Sequence, residues 1–233
     1  MSPSPTVPTG AVVIPMFNEG SVIADVLKEL SGRFRLLVCV DDGSQDESVS
    51  RATAAGATVV RHPVNLGQGA ALQTGIRRAL QDPTITHIVT FDADGQHDAG
   101  DAAAMVAHSE AEDLQVVLGS RFLGSSAEVP LARRALLRGA ARFSRATTGL
   151  QLTDAHNGLR VFRRDAAEQL SIRMHGMSHA SEILSEVARH GWSYAEHPVT
   201  IRYTDYSRAK GQRAYNALNI LFEVAYHRLK PAS

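Results

Sequence analysis

Cysteine is nearly absent from this 233-residue sequence, and no pattern typical of a zinc site occurs in it. The single cysteine, Cys39, permits no internal disulfide and lies in an apolar run. We therefore expect a buried thiol in a protein of a reducing compartment. The ten histidines are scattered, without a His-Glu-x-x-His motif or a Cys/His cluster. These absences argue against a disulfide scaffold and a zinc enzyme.

Net charge and long apolar runs are also lacking. The 24 basic residues balance 24 acidic ones, so we expect no nucleic-acid partner. The apolar stretches are shorter than the roughly 18 residues that a spanning helix needs, so we expect no transmembrane span. Residues 2–9 lack the basic start and apolar core of a signal peptide. We expect a cytoplasmic protein, and peripheral attachment to the inner face of the cell membrane is left open.

Short apolar runs alternate with helical patterns through the first half of the chain. The runs predict strands at 11–15, 36–41, 58–60, 86–91 and 114–118. The patterns between them predict helices at 19–30, 46–55, 68–80 and 102–109. This alternation is typical of an α/β fold with a mostly parallel sheet covered on both faces.

The second half of the sequence is less regular. Its patterns predict helices at 133–147, 178–190 and 215–229, and extended segments at 159–162 and 194–201. We expect residues 1–9 to be a disordered lead and residues 10–230 to form one domain.

Polar residues follow three of the predicted strands, at 15–19, 41–44 and 92–96. Ligands on parallel sheets bind at the carboxyl ends of the strands, so these segments should meet in one crevice. Asp92 and Asp94 stand two residues apart on extended chain and can face one ion. Mg²⁺ commonly binds one or two carboxylates together with substrate phosphates. The motif predicts a metal-bridged diphosphate; the alternative is an ordinary acidic turn, and nearby His97 could support the carboxylates.

Residues 65–75 form a glycine-rich turn that leads into a predicted helix. A dinucleotide-binding fingerprint would follow the first strand, whereas this turn follows the third and has no Gly-Lys-Ser/Thr. We therefore exclude a dehydrogenase and a P-loop enzyme, and interpret the turn as a wall of the crevice. The carboxylates of residues 41–42 can accept hydrogen bonds from a nucleobase imide or a ribose; the alternative is an acidic turn that caps a helix.

Arginines are concentrated after the fifth predicted strand. Six arginines and one glutamate lie from Arg121 to Arg145, and four of them share one face of the predicted helix: Arg134, Arg138, Arg142 and Arg145. Guanidinium groups suit forked contacts with phosphate, although a solvated helix face is the alternative. The polar loop 202–212 could be a lid over a diphosphate or a solvated loop.

Taken in order, these motifs resemble the family 2 glycosyltransferases with a GT-A fold. The resemblance is to the branch of dolichyl-phosphate mannosyltransferase and bacterial polyprenyl-phosphate glycosyltransferases, and it runs from about residue 11 to residue 229. Asp92-Ala93-Asp94-Gly95-Gln96 is the central motif. The others are segments 14–19, 41–44, 65–70, 119–122, 153–160 and 207–212.

The resemblance implies a nucleotide-sugar half at residues 10–122 and an acceptor half at residues 123–230, and it implies a role for each matched residue. The nucleotide site would be lined by Pro15, Phe17, Glu19 and Asp42. A Mg²⁺ or Mn²⁺ ion and the diphosphate would be held by Asp92, Asp94 and Gln96. The donor would be covered by Arg202 and Lys210. The candidate catalytic residues are Asp94, Arg121 and Arg134, with the two arginines contacting the acceptor phosphate. By a shift in alignment, Arg133 or Arg138 could replace Arg134.

The implied activity is metal-dependent, inverting transfer of a hexose from a UDP- or GDP-sugar to a polyprenyl or dolichyl phosphate at the membrane surface. Such a reaction belongs to cell-envelope glycan synthesis. A phosphate monoester, with a second pKa of ~6, is already mostly dianionic and needs no base. One alternative is a soluble transferase that acts on a sugar or metabolite hydroxyl, with Glu182 as base. Another is a non-catalytic nucleotide-sugar-binding protein. The helix 214–229 is either core packing or a surface anchor, and a homodimer is left open.

Overall fold

The computed structural model describes residues 9–123, 145, 147–174, 176 and 178–202. Its described strands are β1 (Gly10–Met16), β2 (Leu36–Asp41), β3 (Thr58–Arg61), β4 (His87–Thr90), β5 (Val116–Ser120), β6 (Arg160–Arg163) and β7 (Tyr194–Pro198). Its described helices are α1 (Ile23–Leu30), α2 (Ser48–Ala54), α3 (Gln68–Ala79), α4 (Ala99–Ala111), α5 (Arg164–Gln169) and α6 (His179–His190).

The described strands form one seven-stranded sheet in the order β3-β2-β1-β4-β6-β5-β7. Every neighbouring pair is parallel except those that involve β6, which runs antiparallel to β4 and to β5. The predicted α/β fold with a mostly parallel sheet is therefore confirmed. β1 lies between β2 and β4. The chain continues from β1 to β2 and β3 on one side of it and then crosses over to β4 on the other side. A crevice opens at such a switch point, at the carboxyl ends of the strands.

Both faces of the sheet are covered by helices, because alternate strand residues point to opposite sides. Val13 of β1 packs in the apolar cluster that contains residues of α3, α5 and α6. Its neighbours Val12 and Ile14 pack in the cluster that contains residues of α1, α2 and α4. Continuous burial along β1 and β2 explains their unbroken apolar sequences.

Helix α3 lies unusually close to the sheet at Gly75. A Cβ atom there would overlap the side chain of Val13 and press on that of Val40. Only glycine allows this approach, which fixes the position of the helix relative to β1 and β2. Because α3 begins at Gln68, the same contact sets where the glycine-rich turn meets the site.

Several element boundaries differ from those predicted. α1 begins at Ile23 rather than at residue 19, because residues 19–22 form a turn. In this turn the backbone carbonyl of Glu19 accepts the N–H groups of Val22 and Ile23. α4 begins at Ala99 because the Asp98 side chain accepts hydrogen bonds from the next helical N–H groups, which is an N-cap. α5 was not predicted.

Parts of the predicted organisation lie outside the described residues. These are residues 1–8 of the predicted lead, residues 133–144 and 146 of the predicted arginine-rich helix, and the whole helix 214–229. Within the described part of the chain, no helix is long and apolar enough to cross a membrane.

Candidate active site

The loops after β1 and β2 are joined into one unit at the carboxyl edge of the sheet. Asn18 donates its backbone N–H to the Ser44 hydroxyl at 2.9 Å, and its side-chain oxygen accepts the N–H of Gln45 at 2.9 Å. Glu19 donates its N–H to Ser48 Oγ at 2.8 Å. Asn18 adopts φ 55°, a left-handed conformation that asparagine tolerates. Two of the three predicted polar segments are therefore held together by direct hydrogen bonds.

The residues expected to line the nucleotide site occupy this unit. Pro15 is half-buried within β1, and the Phe17 that follows it is 43% exposed. The ring of Phe17 is thus accessible at the end of the strand, where an aromatic face could stack on a base. Glu19 is buried beside the loop of Ser48.

Large exposed apolar side chains collect along the same edge. In the described part of the chain these are Phe17, Val64, Leu66 and Leu123. They lie in the segments that follow β1, β3 and β5. All three segments follow the carboxyl ends of strands, and these four residues are called the apolar rim below.

Asp42 is buried and holds the glycine-rich turn. One oxygen accepts the N–H of Leu66 at 2.8 Å and contacts the His62 ring at 2.8 Å, while the other accepts the N–H of Gly67 at 2.7 Å. Gly67 has φ 91°, which favours glycine. The structure thus places Asp42 behind the crevice wall, and its predicted contact with a nucleotide stays a prediction.

The paired carboxylates follow β4 and have different surroundings. Asp92, with 32% of its side chain exposed, accepts hydrogen bonds from Gln68 Nε2 at 3.0 Å and from His97 Nε2 at 2.9 Å. Asp94 accepts one hydrogen bond, from the N–H of Gln96 at 3.1 Å. His97, which was considered as a support for the carboxylates, does contact Asp92 directly.

These surroundings move the two carboxyl pKa values apart. Burial acts to raise the pKa of Asp92, but the hydrogen bond from His97 and nearby positive charge, including Arg160, lower it below its ordinary value. Burial and the negative charge of Asp92 raise the pKa of Asp94 to about 6. A cation placed between the two groups would relieve this repulsion.

The donor set at this turn fits a hard divalent cation that also binds substrate phosphates. Asp92 and Asp94 supply carboxylate oxygens, and Gln96 is the next side chain with an amide oxygen. No cluster of three or more His, Cys, Asp or Glu side chains in the described ranges is placed to bind a metal unaided. Mg²⁺ and Mn²⁺ suit such a site, because oxygen ligands from substrate complete their coordination.

A buried ion pair and a further buried arginine lie beside the carboxylates, where β5 ends and β6 begins. Arg121 follows β5, and its Nε donates to Asp154 Oδ2 at 2.6 Å, with both side chains buried. Arg160, the first residue of β6, is also buried and donates to the carbonyl of Asn157 at 3.0 Å. Burial lowers the pKa of Arg160 to about 10, while the charges of Asp92 and Asp154 oppose that shift.

Two neutral histidines complete this region. Burial lowers the pKa of His179 to about 4, against a hydrogen bond to the carbonyl of Gly176. Burial, together with the positive charge of Arg160, also lowers the pKa of His156. Because both imidazoles are neutral at pH 7, the charges of this region are those of its arginines and aspartates.

The remaining predicted residues are placed as follows. The guanidinium of Arg202 pairs with Glu29 at 3.0 Å and with Asp98, while its backbone N–H donates to the carbonyl of Gln96 at 2.8 Å. Arg202 therefore adjoins the turn of residues 92–96 through its backbone, and its side chain is directed to α1 and the start of α4. Arg134, its alternatives Arg133 and Arg138, and Lys210 lie outside the described residues.

Glu182, the candidate base for a hydroxyl acceptor, binds backbone. Its carboxylate accepts the N–H of Arg173 at 3.0 Å and that of Met174 at 2.8 Å. The carbonyl of Met174 in turn lies against Gly69, where a Cβ atom would overlap it. Glu182 thus fixes a segment that packs on the first turn of α3.

Sequence reasoning gave no individual role to four residues of this site: Gln68, Asp154, Gly158 and Arg160. A Cβ atom at Gly158 would overlap the Asp92 carboxylate, so glycine is needed there. Three of them stand in the motif at residues 153–160: Asp154, Gly158 and Arg160. The sequence signal that could have identified them is a glycine flanked by charged residues, just before an apolar strand. Asp154 pairs with Arg121, which is 33 residues away in the chain, so this pairing could not be assigned from the sequence.

Comparison with known proteins adds family relationships to this geometry. The pattern of the family described as Glycosyl transferase family 2 matches residues 11–171. An uncharacterized protein of Methanocaldococcus jannaschii is 34% identical over 94% of this chain and 91% of its own length. The UDP-N-acetylglucosamine–dolichyl-phosphate N-acetylglucosaminyltransferase of Methanococcus voltae is 27% identical over 91% of this chain and 93% of its own length.

Solved structures share the fold. Glucosyl-3-phosphoglycerate synthase from Mycobacterium tuberculosis, in complex with Mn²⁺, UDP and glucosyl-3-phosphoglycerate, gives a TM-score of 0.67 at 21% identity. The match covers 97% of this chain and 82% of that one. Another structure of the same synthase contains Mg²⁺ and UDP, with a TM-score of 0.66 at 22% identity over 97% of this chain and 81% of that one. At such identities the likeness establishes the GT-A type of α/β fold.

Proposed function

The chain belongs to glycosyl transferase family 2, and on this premise we propose that it transfers a hexose from a nucleotide-sugar to a polyprenyl phosphate. The donor would be linked to UDP or GDP, and Mg²⁺ or Mn²⁺ would bind with it. The similarity to a dolichyl-phosphate transferase supports this acceptor. The apolar rim, which places exposed hydrophobic side chains at the mouth of the crevice, also favours a lipid-linked substrate.

The observation that carries the choice of acceptor is the engagement of Glu182. A hydroxyl acceptor needs a carboxylate within reach to remove its proton. Glu182 accepts hydrogen bonds from two backbone N–H groups instead. A phosphate dianion has no proton to lose and needs cationic positioning. This difference favours a phosphate acceptor over the alternative with a sugar or metabolite hydroxyl.

The proposed reaction is an in-line displacement at the anomeric carbon. A phosphate oxygen of the acceptor forms the new C–O bond while the bond to the nucleoside diphosphate breaks, which inverts the configuration. When bound, the divalent ion would offset the negative charge that develops on the leaving diphosphate. Asp92, Asp94 and Gln96 would hold it, with Asp94 as the carboxylate that makes fewer protein contacts.

Other residues would bind and orient the two substrates. Phe17, Pro15 and Glu19 would line the nucleotide site, and Asp42 would support its wall through the turn at residues 66–67. Arg121, oriented by Asp154, would contact the acceptor phosphate together with Arg134. Arg202 and Lys210 would cover the donor. For Arg202 this requires exchange of its ion pairs with Glu29 and Asp98.

The test is release of nucleoside diphosphate from a panel of UDP- and GDP-sugars with Mn²⁺ or Mg²⁺, with and without a polyprenyl phosphate. We expect turnover that requires both the metal and the lipid phosphate. Lipid alcohols of the same chain length are the matched control, and they should not support turnover. Turnover that depends instead on a sugar or metabolite hydroxyl would replace this acceptor. Donor binding without turnover on any acceptor would indicate a nucleotide-sugar-binding protein.

A further inference from the structure

Each carboxylate oxygen of Asp92 has its own hydrogen-bond donor, and the two donors come from different parts of the chain. Gln68, the first residue of α3, donates to Oδ1 at 3.0 Å. His97, in the turn before α4, donates to Oδ2 at 2.9 Å. A carboxylate held at both oxygens cannot rotate without breaking one of these bonds.

Gly158 closes a third side of the same carboxylate. A Cβ atom at this position would overlap both oxygens of Asp92. Gly158 is itself fixed, because its carbonyl accepts the hydroxyl of Thr90 at 2.7 Å. The backbone ahead of β6 therefore limits the movement of Asp92 toward the sheet.

The imidazole of His97 is held rigidly for this contact. It is 4% exposed, and its ring meets that of Phe91 edge-on, with centroids 5.3 Å apart. Its Nδ1 is buried and has no hydrogen-bond partner among the described residues, whereas its Nε2 lies against a carboxylate, which can only accept, so Nε2 is the donor. A buried nitrogen without a hydrogen-bond partner is unfavourable, because its hydration is lost on folding. An apolar side chain would avoid that cost, and the contact with Asp92 is what the imidazole provides in return.

Gln68 is positioned through Asp42. The carboxylate of Asp42 binds the N–H groups of Leu66 and Gly67, the two residues that precede Gln68. The loop after β2 is thereby connected, through the turn and Gln68, to the carboxylate after β4. This connection joins two strand ends that flank β1 in the sheet.

From these contacts we propose that Gln68 and His97 are positioning residues, which hold Asp92 in the orientation that binds the divalent ion. The inference rests on the proposed function only in its assignment of Asp92 as a metal ligand. Groups that hydrogen-bond to metal ligands typically contribute 10–100-fold to metal affinity, because they fix ligand orientation. Asp94, with a single backbone hydrogen bond, has no comparable restraint among the described residues.

The experiment measures Mn²⁺ binding to the purified protein by electron paramagnetic resonance, with UDP or GDP present and without an acceptor. Gln68→Met and His97→Phe keep the approximate size of each side chain and remove its donor. We expect each variant to bind Mn²⁺ about 10–100-fold more weakly. His97→Gln, which restores an N–H donor, should recover part of the affinity.

Two further variants separate positioning from general damage. Gln73 is another glutamine of α3, and its side-chain oxygen accepts the N–H of Ile172 at 2.6 Å. Gln73→Met removes this hydrogen bond and should leave Mn²⁺ affinity unchanged. In an Asp92→Asn background, Gln68→Met should have no additional effect, because the residue acts through Asp92.

Unchanged Mn²⁺ affinity in both Gln68→Met and His97→Phe, with thermal unfolding like that of the original protein, would overturn the inference and leave the proposed transfer intact. Failure of the original protein to bind Mn²⁺ with either nucleotide would overturn it as well. If the original protein binds Mn²⁺ and the variants show the expected losses, but no sugar is transferred to lipid phosphate, this inference is upheld and the proposed acceptor is rejected. Gln68 is half-buried, so its variant stays informative even if His97→Phe fails to fold.

Discussion

The two sides of the crevice hold their carboxylates in different ways. On the side proposed to bind the donor (the donor side below), formed by the loops after β1, β2 and β3, Asp42 and Asp46 accept hydrogen bonds from backbone N–H groups of neighbouring loops. On the side proposed to bind the acceptor (the acceptor side below), formed by residues 121 and 154–160 with His179, the buried Asp154 faces the guanidinium of Arg121.

This difference has an energetic consequence. A carboxylate that accepts hydrogen bonds from backbone N–H groups connects loops. Its removal leaves no buried positive charge without a counter-ion. A buried ion pair leaves its partner uncompensated when either member is lost. We therefore expect substitutions on the acceptor side to lower stability, and substitutions at the proposed metal ligands of residues 92–96 to lower turnover with little effect on folding.

The largest expected effect is that of Asp154→Ala. This substitution removes the buried carboxylate that contacts the Arg121 guanidinium at 2.6 Å, which should lower the free energy of unfolding by about 3–5 kcal/mol. Urea denaturation followed by circular dichroism measures the change. In a double-mutant cycle with Arg121→Leu, the double variant should be more stable than the sum of the single losses predicts. Strict additivity would refute the described pairing.

Asp94→Asn should separate turnover from stability. Loss of a charged metal ligand is expected to lower kcat by roughly 100-fold or more, since transition-state charge would be less compensated. The melting temperature should stay equal or rise, because repulsion with Asp92 is removed. A steady-state assay and differential scanning calorimetry provide the two values. Retained metal-dependent turnover would show that Asp94 does not bind the ion.

The acceptor side should also make folding pH-dependent through His179. Its pKa is about 4 in the folded protein, below its ordinary value of 6.5, because of burial. Between those values the unfolded chain binds more protons, so stability is present above pH 6.5 and is lost as the pH falls. From pH 7 to pH 5 we expect a loss of about 2 kcal/mol.

Urea denaturation across this pH range tests that expectation. The groups that act on His179 are the carbonyl of Gly176, Arg160, Asp92 and His156. His179→Gln keeps a side-chain N–H and removes the titration, so the slope of stability against pH should decrease. An unchanged slope would mean that other groups account for the dependence.

Of these substitutions, Glu182→Gln should change turnover least. For a phosphate acceptor no base is required, and an amide oxygen can still accept one of the N–H groups of residues 173–174. We expect kcat to change by no more than about threefold, with an unchanged pH profile. A loss of several orders of magnitude on the preferred acceptor would instead assign Glu182 as a base and favour the hydroxyl-acceptor alternative.

The local sequence determined much of the fold and the position of the site. Unbroken apolar runs at 36–41 and the helical spacing at 68–80 predicted β2 and α3, because strand and helix periodicities are local properties. Polar residues after β1, β2 and β4 predicted a common crevice, because strand ends in a parallel sheet share an edge. The two aspartates after β4 were found in the same way.

Only the tertiary structure decided which side chains meet. The antiparallel direction of β6 depends on pairing with strands distant in sequence. The donors to Asp92 and the partner of Arg121 come from segments distant in the chain. Glycines allow two further close approaches, of α3 to the sheet at Gly75 and of the Asp92 carboxylate to the backbone at Gly158. Asp42 and Glu182 could be recognised as carboxylates from the sequence, but whether they face a substrate or backbone N–H groups depends on the path of loops far away in the chain.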